Sequence, residues 1–368
     1  MASNRFEMPV RYDALAVPVI QMRGITKTFH TAAGDTTVLK GVDVDVEQGQ
    51  FIGVVGRSGS GKSTLVNMIT GIDRPSAGTV EVGGLWLRNM PESNMAVWRG
   101  KNLGIVFQFF QLLPMLTLIE NVMLPMDFCN LYSPPSREQR ALDLLRRVGL
   151  EKMAHKLPGA VAGGQQQSAA LARALANDPP ILIADEPTGN LDSNTAEQVM
   201  LIFEELAAQG KTILIVTHDR ALARRTNRLL LISDGELVNE HLAAAFPDAP
   251  HALLLQLSKA AAPLDLPSGA QLSLPVGATD AVILVVSGEL RMETAGEWQM
   301  VSPLQTFDPL IVRRPARAGD TGASLLALPR DLARPLLPGL RSAPGSLPRH
   351  GETAHPLYRW IRHARRAD

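Results

Sequence analysis

The stretch Phe51-Ile-Gly-Val-Val-Gly56-Arg-Ser-Gly-Ser-Gly-Lys62-Ser63-Thr64 decides the fold. Its first half is a continuous aliphatic run, the pattern of a strand buried on both faces of a parallel sheet. Its second half fits G-x-x-x-x-G-K-[ST], and residues 65–69 continue with a helix-like pattern. Glycines at this spacing let successive backbone N–H groups turn toward one anion, and the N-terminus of the following helix adds its positive dipole. The pattern predicts a phosphate-binding loop. Gly56, Ser58, Gly59, Ser60, Gly61 and Thr64 form the cradle, Lys62 reaches the β- and γ-phosphates, and the Ser63 hydroxyl ligates Mg²⁺.

Working outward, Ile181-Leu-Ile-Ala-Asp185-Glu186 is a second aliphatic run, ending in two adjacent carboxylates. In a parallel sheet both emerge at the carboxyl edge, where a phosphate loop also lies. Side chains alternate along a strand, so the two are expected to take different tasks. Asp185 is expected to hold the Mg²⁺ shell and Glu186 to polarise an attacking water. TILIVTHD (212–219) is a third buried run, while residues 137–148 and 165–176 carry apolar positions three and four apart, the helical period. This alternation predicts an α/β layer architecture over residues 20–240.

The chain has 368 residues, which suggests two domains at about 150 residues each. Apolar residues at 45% and charged residues at 20% describe an ordinary globular protein. Lys and Arg (36) balance Asp and Glu (36), so no whole-chain field gathers nucleic acid or anionic lipid. The single cysteine, Cys129, excludes an internal disulfide framework and fits a reducing compartment. The longest aliphatic run of the strand-like kind, 282–286, is far short of the ~20 residues needed to cross a bilayer. The N-terminus lacks an apolar core followed by a small-residue cleavage site, so no secretory signal is expected. These bounds predict a soluble, intracellular chain.

The spaced motifs together resemble the nucleotide-binding subunit of an ABC transporter over residues 20–240. GRSGSGKST is similar to the Walker A motif. Gln108, in GIVFQFFQLLPMLTLIENV, resembles the Q-loop glutamine, which in that family touches Mg²⁺ and senses a permease. Asn190-Leu191-Asp192 resembles the D-loop, and His218 the switch histidine that contacts the γ-phosphate. Phe29 stands where the family usually stacks an aromatic ring on adenine. IVFQFFQLLPMLTLIENV and ADEPTGNLDS look most like the branch serving lipoprotein release, macrolide efflux and cell division. The resemblance implies ATP and Mg²⁺ as ligands, a dimer, and an integral membrane permease supplied by another chain. It also implies a peripheral place on the cytoplasmic face of the inner membrane. Nucleic acid is not an expected partner. One cassette without a heptad run argues against soluble family members that act on ribosomes or DNA.

The signature motif departs from the family. It usually reads L-S-G-G-Q followed by Q-Q-R, and here it is Val161-Ala162-Gly163-Gly164-Gln165-Gln166-Gln167-Ser168. The serine that donates to the γ-phosphate of an ATP on the opposite subunit is Ala162, and the arginine is Ser168. The glycines and the helix N-terminus remain, so the anion site is weakened and not erased. Two readings stay open: harmless drift, or asymmetry. In the second, a partner ATPase supplies an intact signature to this chain's own Lys62, Asp185, Glu186 and His218. A slow homodimer and a weakly hydrolysing regulatory subunit follow from the same change.

After residue 240 the composition shifts to Leu, Ala, Pro and Gly with short alternating runs, which predicts a small, mainly β module over 250–337. It faintly resembles a cyclic-nucleotide-binding β-roll: a short helix, a P-x-G turn, a strand ending in Ser287–Leu290, and a closing helix in 325–337. It lacks the Gly-Glu pair followed by an arginine that holds a cyclic phosphate, since Arg313, Arg314 and Arg317 stand in another context. A structural β-roll for dimerisation or partner contact is the expectation, with Asp265, Glu289 and Glu293 as solvated strand positions and no metal site. Residues 1–19 read as an N-terminal extension. Residues 338–368 read as a Pro-rich, then basic tail, either solvated or lying as a short amphipathic helix on a membrane or permease.

Overall fold

The computed structural model describes residues 18–32, 34–189, 191–272, 281–294, 297–307 and 316–337. The N-terminal extension up to residue 17, Asn190, Arg313, Arg314 and the 338–368 tail lie outside the described residues. The chain divides into two compact units, Met1–Leu237 and Val238–Asp368.

The first unit opens with a long hairpin, β1 (Ile20–Thr31) and β2 (Gly34–Val46), and continues into β3 (Phe51–Val55) and α1 (Lys62–Thr70). Then come β4 (Ala77–Val82), β5 (Leu85–Trp86), α2 (Glu92–Asn102) and β6 (Leu103–Val106). Helices α3 (Leu118–Phe128), α4 (Pro134–Arg147) and α5 (Gly163–Ala174) follow in succession. The unit closes with β7 (Ile181–Asp185), α6 (Ser193–Ala208), β8 (Thr212–Thr217), α7 (Arg220–Ala223), β9 (Arg228–Ser233) and β10 (Glu236–Val238).

Two sheets result, an antiparallel one in the order β2-β1-β4-β5 and a six-stranded one in the order β10-β9-β3-β8-β7-β6. In the second, β3 pairs in parallel with β8 and β9, and β7 in parallel with β6 and β8. Every residue of β3 and β8 is buried, as is β7 up to Ala184. These aliphatic runs therefore have no polar face, and each fully buried Val, Leu or Ile contributes about 1.5–3 kcal/mol. One face of the sheet packs with α1 and the antiparallel sheet around Ile52, Leu65, Ile69 and Leu214. The other packs with α5 and α6 around Leu171, Phe203, Ile213 and Ile215. Helices α3, α4 and α5 share a cluster of their own around Leu118, Val122, Leu145 and Ala172.

Local signals set the helix starts. Thr117 and Glu120 form a capping box at α3, with the Glu120 carboxylate accepting the Thr117 N–H at 2.7 Å. Pro134 opens α4, where its missing N–H costs nothing. Asp192 caps α6 by accepting the N–H groups of Asn194 and Thr195 at 3.1 Å each.

The second unit carries α8 (Glu240–Ala245), α9 (His251–Ala260) and β11 (Ala262–Leu266). These precede β12 (Ala281–Thr294), β13 (Glu297–Val301), β14 (Thr306–Phe307), β15 (Ala316–Pro329) and α10 (Arg330–Ala333). The strands form an antiparallel sheet in the order β11-β15-β12-β13, with β14 on β12, around Ile283, Val285, Leu290 and Leu325. The β-rich expectation agrees. The expected closing helix over 325–337 does not form as such, because its first five residues belong to β15. Leu325 faces Leu264 of β11 and Val285 of β12, so burial between two strands overrides the helical likeness until Pro329. In β12, Gly288 adopts φ 81° at a register shift, and a Cβ there would run into the Gly322 carbonyl.

Candidate active site

The loop after β3 is built around glycines where a side chain would be crowded or the backbone strained. A Cβ on Gly56 would stand 2.5 Å from the Ile232 carbonyl and from Ser60 Oγ, and Gly59 and Gly61 take φ 77° and 106°. Lys62 donates to the carbonyls of Gly56 and Arg57 at 2.9 and 3.0 Å, so its ammonium is drawn across the loop. Ser60 is 6% exposed and its hydroxyl finds no partner among the described residues. A buried hydroxyl without a partner is costly, and an anion in the loop is the natural acceptor.

Ser63, on the first turn of α1, donates to Asp185 Oδ2 at 2.8 Å, joining the loop to the end of β7. Burial pushes the Asp185 carboxyl above its usual range and the Glu186 charge adds to this, while the Ser63 hydrogen bond and Lys62 oppose it. A carboxylate so placed gains from a bound cation. Ser63 and Asp185 are hard oxygen donors and fit Mg²⁺, which commonly takes one or two protein oxygens with phosphate and water completing its shell.

Asp185 and Glu186 do part company, but not by strand alternation. Glu186 leaves the strand at φ 50°, the left-handed region, while its N–H still donates to the Val216 carbonyl at 2.9 Å. That turn aims its side chain, 12% exposed, at the end of β8, where His218 Nδ1 lies 2.9 Å from both carboxylate oxygens. The His218 ring is 73% exposed. Sequence reasoning found both residues but had no signal for this turn.

Gln108 follows β6 by two residues and is exposed. Because Val106 pairs with Ala184, the chain leaves β6 at the edge where Asp185 ends β7. Phe29 lies on the antiparallel sheet, 39% exposed, with Lys27 Nζ 4.9 Å from its ring centroid. Among the described residues no hydrogen bond joins Ala162, Gly163, Gly164 or Gln165 to the loop at 56–64. Ala162 is the N-cap of α5. Its N–H is taken by Gln165 Oε1 at 3.1 Å, and its methyl accepts nothing in return. Ser168 donates to the Gly164 carbonyl at 3.1 Å. Asp192, expected as a D-loop residue, is also occupied as the cap of α6. The hydrogen bonds to Thr195 hold its carboxyl below the usual range. Asn121 and Arg173 were missed by sequence reasoning. Asn121 is fully buried and clamps the carbonyls of Leu113, Leu116 and Thr117, and its signal was an amide inside the apolar run LIENVML.

The sequence pattern of the family described as ABC transporter matches residues 39–189. The lipoprotein-releasing system ATP-binding protein LolD of Hyphomonas neptunium is 41% identical over 223 residues, covering 60% of this chain and 97% of LolD. The chain belongs to the ABC transporter ATP-binding family. The macrolide export ATP-binding/permease protein MacB of Burkholderia cenocepacia is 41% identical over 236 residues, which make up 34% of its length. In three dimensions this ABC cassette is similar to the dimeric, post-hydrolysis structure of the ATP-binding cassette MJ0796 bound to ADP and Pi. The TM-score is 0.58 at 39% identity, covering 59% of this chain and 96% of that one. The chain is thus an ABC ATPase, and among its described residues no helix is long and apolar enough to cross a membrane.

Proposed function

We propose that this ABC ATPase works as a dimer on the cytoplasmic face of the inner membrane and drives a separate integral permease of the export or extraction kind. The observation that carries the reading is the paired geometry at the carboxyl edge: Ser63 on Asp185 at 2.8 Å, and His218 on Glu186 at 2.9 Å. The loop N–H groups and Lys62 bind the ATP phosphates, and Phe29 stacks on adenine. Ser63, Asp185 and Gln108 would hold Mg²⁺, which would supply charge neutralisation to the phosphates. Glu186 accepts a proton from the attacking water, and His218 orients that carboxylate and reaches the γ-phosphate. Closure of the dimer on ATP moves the permease, and hydrolysis resets it. Lipoprotein release and macrolide export, named for two relatives, support the outward direction. Phe109 and Met115, on the Gln108 segment, are 78% and 82% exposed and offer an apolar face to another chain.

One observation favours a heterodimer as a second reading. Ala162 caps α5 without an oxygen, so the anion site this chain lends to a partner rests on the Gly163 and Gly164 backbone. A second ATPase with an intact serine would complete the site at this chain's own loop. The test is affinity capture of tagged Glu186→Gln protein from detergent-solubilised membranes with ATP. A permease with a second ATPase supports the heterodimer, a permease with this ATPase alone supports the homodimer, and the absence of any membrane protein overturns the transporter reading.

A further inference from the structure

The segment that carries Gln108 is tied to α5 at two points. The Phe110 ring stands where a Cβ on Gly163 would meet it at 3.9 Å, at the first turn of α5. Arg173, in the last turn, donates from Nη1 to the Gln111 carbonyl at 2.5 Å and from Nη2 to the Phe110 carbonyl at 2.7 Å. Gln111 sits at φ 50°, and its N–H turns back to the Phe109 carbonyl, so the two clamped carbonyls belong to one tight turn. Arg173 has no carboxylate partner among the described residues. Burial pushes its guanidinium below its usual range with nothing opposing. A half-buried cation held by two carbonyls and no carboxylate is an unusual way to fasten a loop, and a planar fork is the side chain that can hold both at once.

We propose that Arg173 is a positioning residue which, with Phe110, locks the 108–111 turn to α5, so that Gln108 and the Ala162–Gly164 turn move as one body. Gln108 is then set in place from the helix that carries the signature motif. The inference rests on the reading of Gln108 as a contributor to the Mg²⁺ site.

The test uses full-length protein carrying Glu186→Gln, with a fluorescent ATP analogue titrated at a series of Mg²⁺ concentrations. Arg173→Gln is expected to need about tenfold more Mg²⁺ to reach tight binding, as loss of an outer-shell support does. Mg²⁺-free affinity stays at the parent value, because the phosphate loop is untouched. Amide exchange across residues 109–112 rises in the same variant. Arg173→Lys, which satisfies one carbonyl, falls between. Gln108→Ala shifts the Mg²⁺ requirement similarly, and Arg173→Gln adds nothing to it. A full additional shift in the Gln108→Ala background overturns the proposal, as does an equal loss of Mg²⁺-free affinity. If Mg²⁺ makes no difference to the parent protein, the metal assignment of Gln108 fails first and the inference falls with it.

Discussion

Two helices of the first unit begin on glycines, and only one of those ends is equipped for chemistry. At α1 the turn through Gly61 is surrounded by Lys62, Ser63 and the Asp185 carboxylate. At α5 the turn through Ala162 and Gly163 offers backbone N–H groups, with one amide side chain folded back onto them. Both ends concentrate positive potential, since the first N–H groups of any helix lack intrahelical partners. The difference lies in the side chains. On the proposed reading, the α1 end grips phosphate with its own side chains, whereas the α5 end completes a site built on another chain.

The largest effect should come from the equipped side. Glu186→Gln keeps the size of the side chain and the bond to His218 while removing the proton acceptor. Turnover should fall about 10²–10⁴-fold, the range for loss of a general base, with ATP binding retained. Steady-state phosphate release and equilibrium binding check this together. A variant that loses both would place Glu186 in binding, and the contrast between the two helix ends would lose its chemical half.

The second effect should come from the other end. Ala162→Ser restores the hydroxyl at the N-cap of α5. If purified protein works as a homodimer, turnover should rise at least about tenfold, below the 10²–10³ range for one oxyanion-type donor because Gly163 and Gly164 already contribute. The same hydroxyl can accept an N–H at the first turn, which adds about 1 kcal/mol of stability whether or not catalysis responds. A rise in Tm with unchanged turnover would make Ala162 neutral drift and remove the argument for an asymmetric dimer.

The two ends also differ in how much a sequence can disclose. The α1 end was legible because strand, glycine spacing, lysine and hydroxyl fall in one contiguous stretch, and each residue type has a reason local to that stretch. The departure at Ala162 was legible too, since a missing hydroxyl is visible without coordinates. What stayed hidden depends on distant residues. The left-handed turn at Glu186 is set by pairing with Val216, the clamp on the Gln108 segment by Arg173 some sixty residues away, and the fate of 325–329 by two flanking strands. None of these leaves a periodic trace, because a single long-range hydrogen bond has no spacing to read.

A third helix start, at α6, refines the contrast and carries the smallest expected effect. Asp192 caps that helix with a charged oxygen, accepting from the Asn194 and Thr195 N–H groups and from the Thr195 hydroxyl at 2.6 Å. The Thr195 hydroxyl is the largest influence holding its carboxyl below the usual range. The folded protein therefore releases this proton more readily than the unfolded chain. The stabilisation is present above the ordinary aspartate value and is lost as pH falls through the lower folded value. Asn caps a helix as well as Asp does but carries no charge. Asp192→Asn should therefore melt slightly below the wild-type protein at pH 7, and the gap should close as the pH is lowered through the carboxylate range. A gap that is constant with pH would mean that geometry alone makes the cap. In that case the charge at the start of α6 would be free for another task, the one the family resemblance gives to the D-loop, and the comparison with the uncharged start of α5 would become one of function as well as of stability.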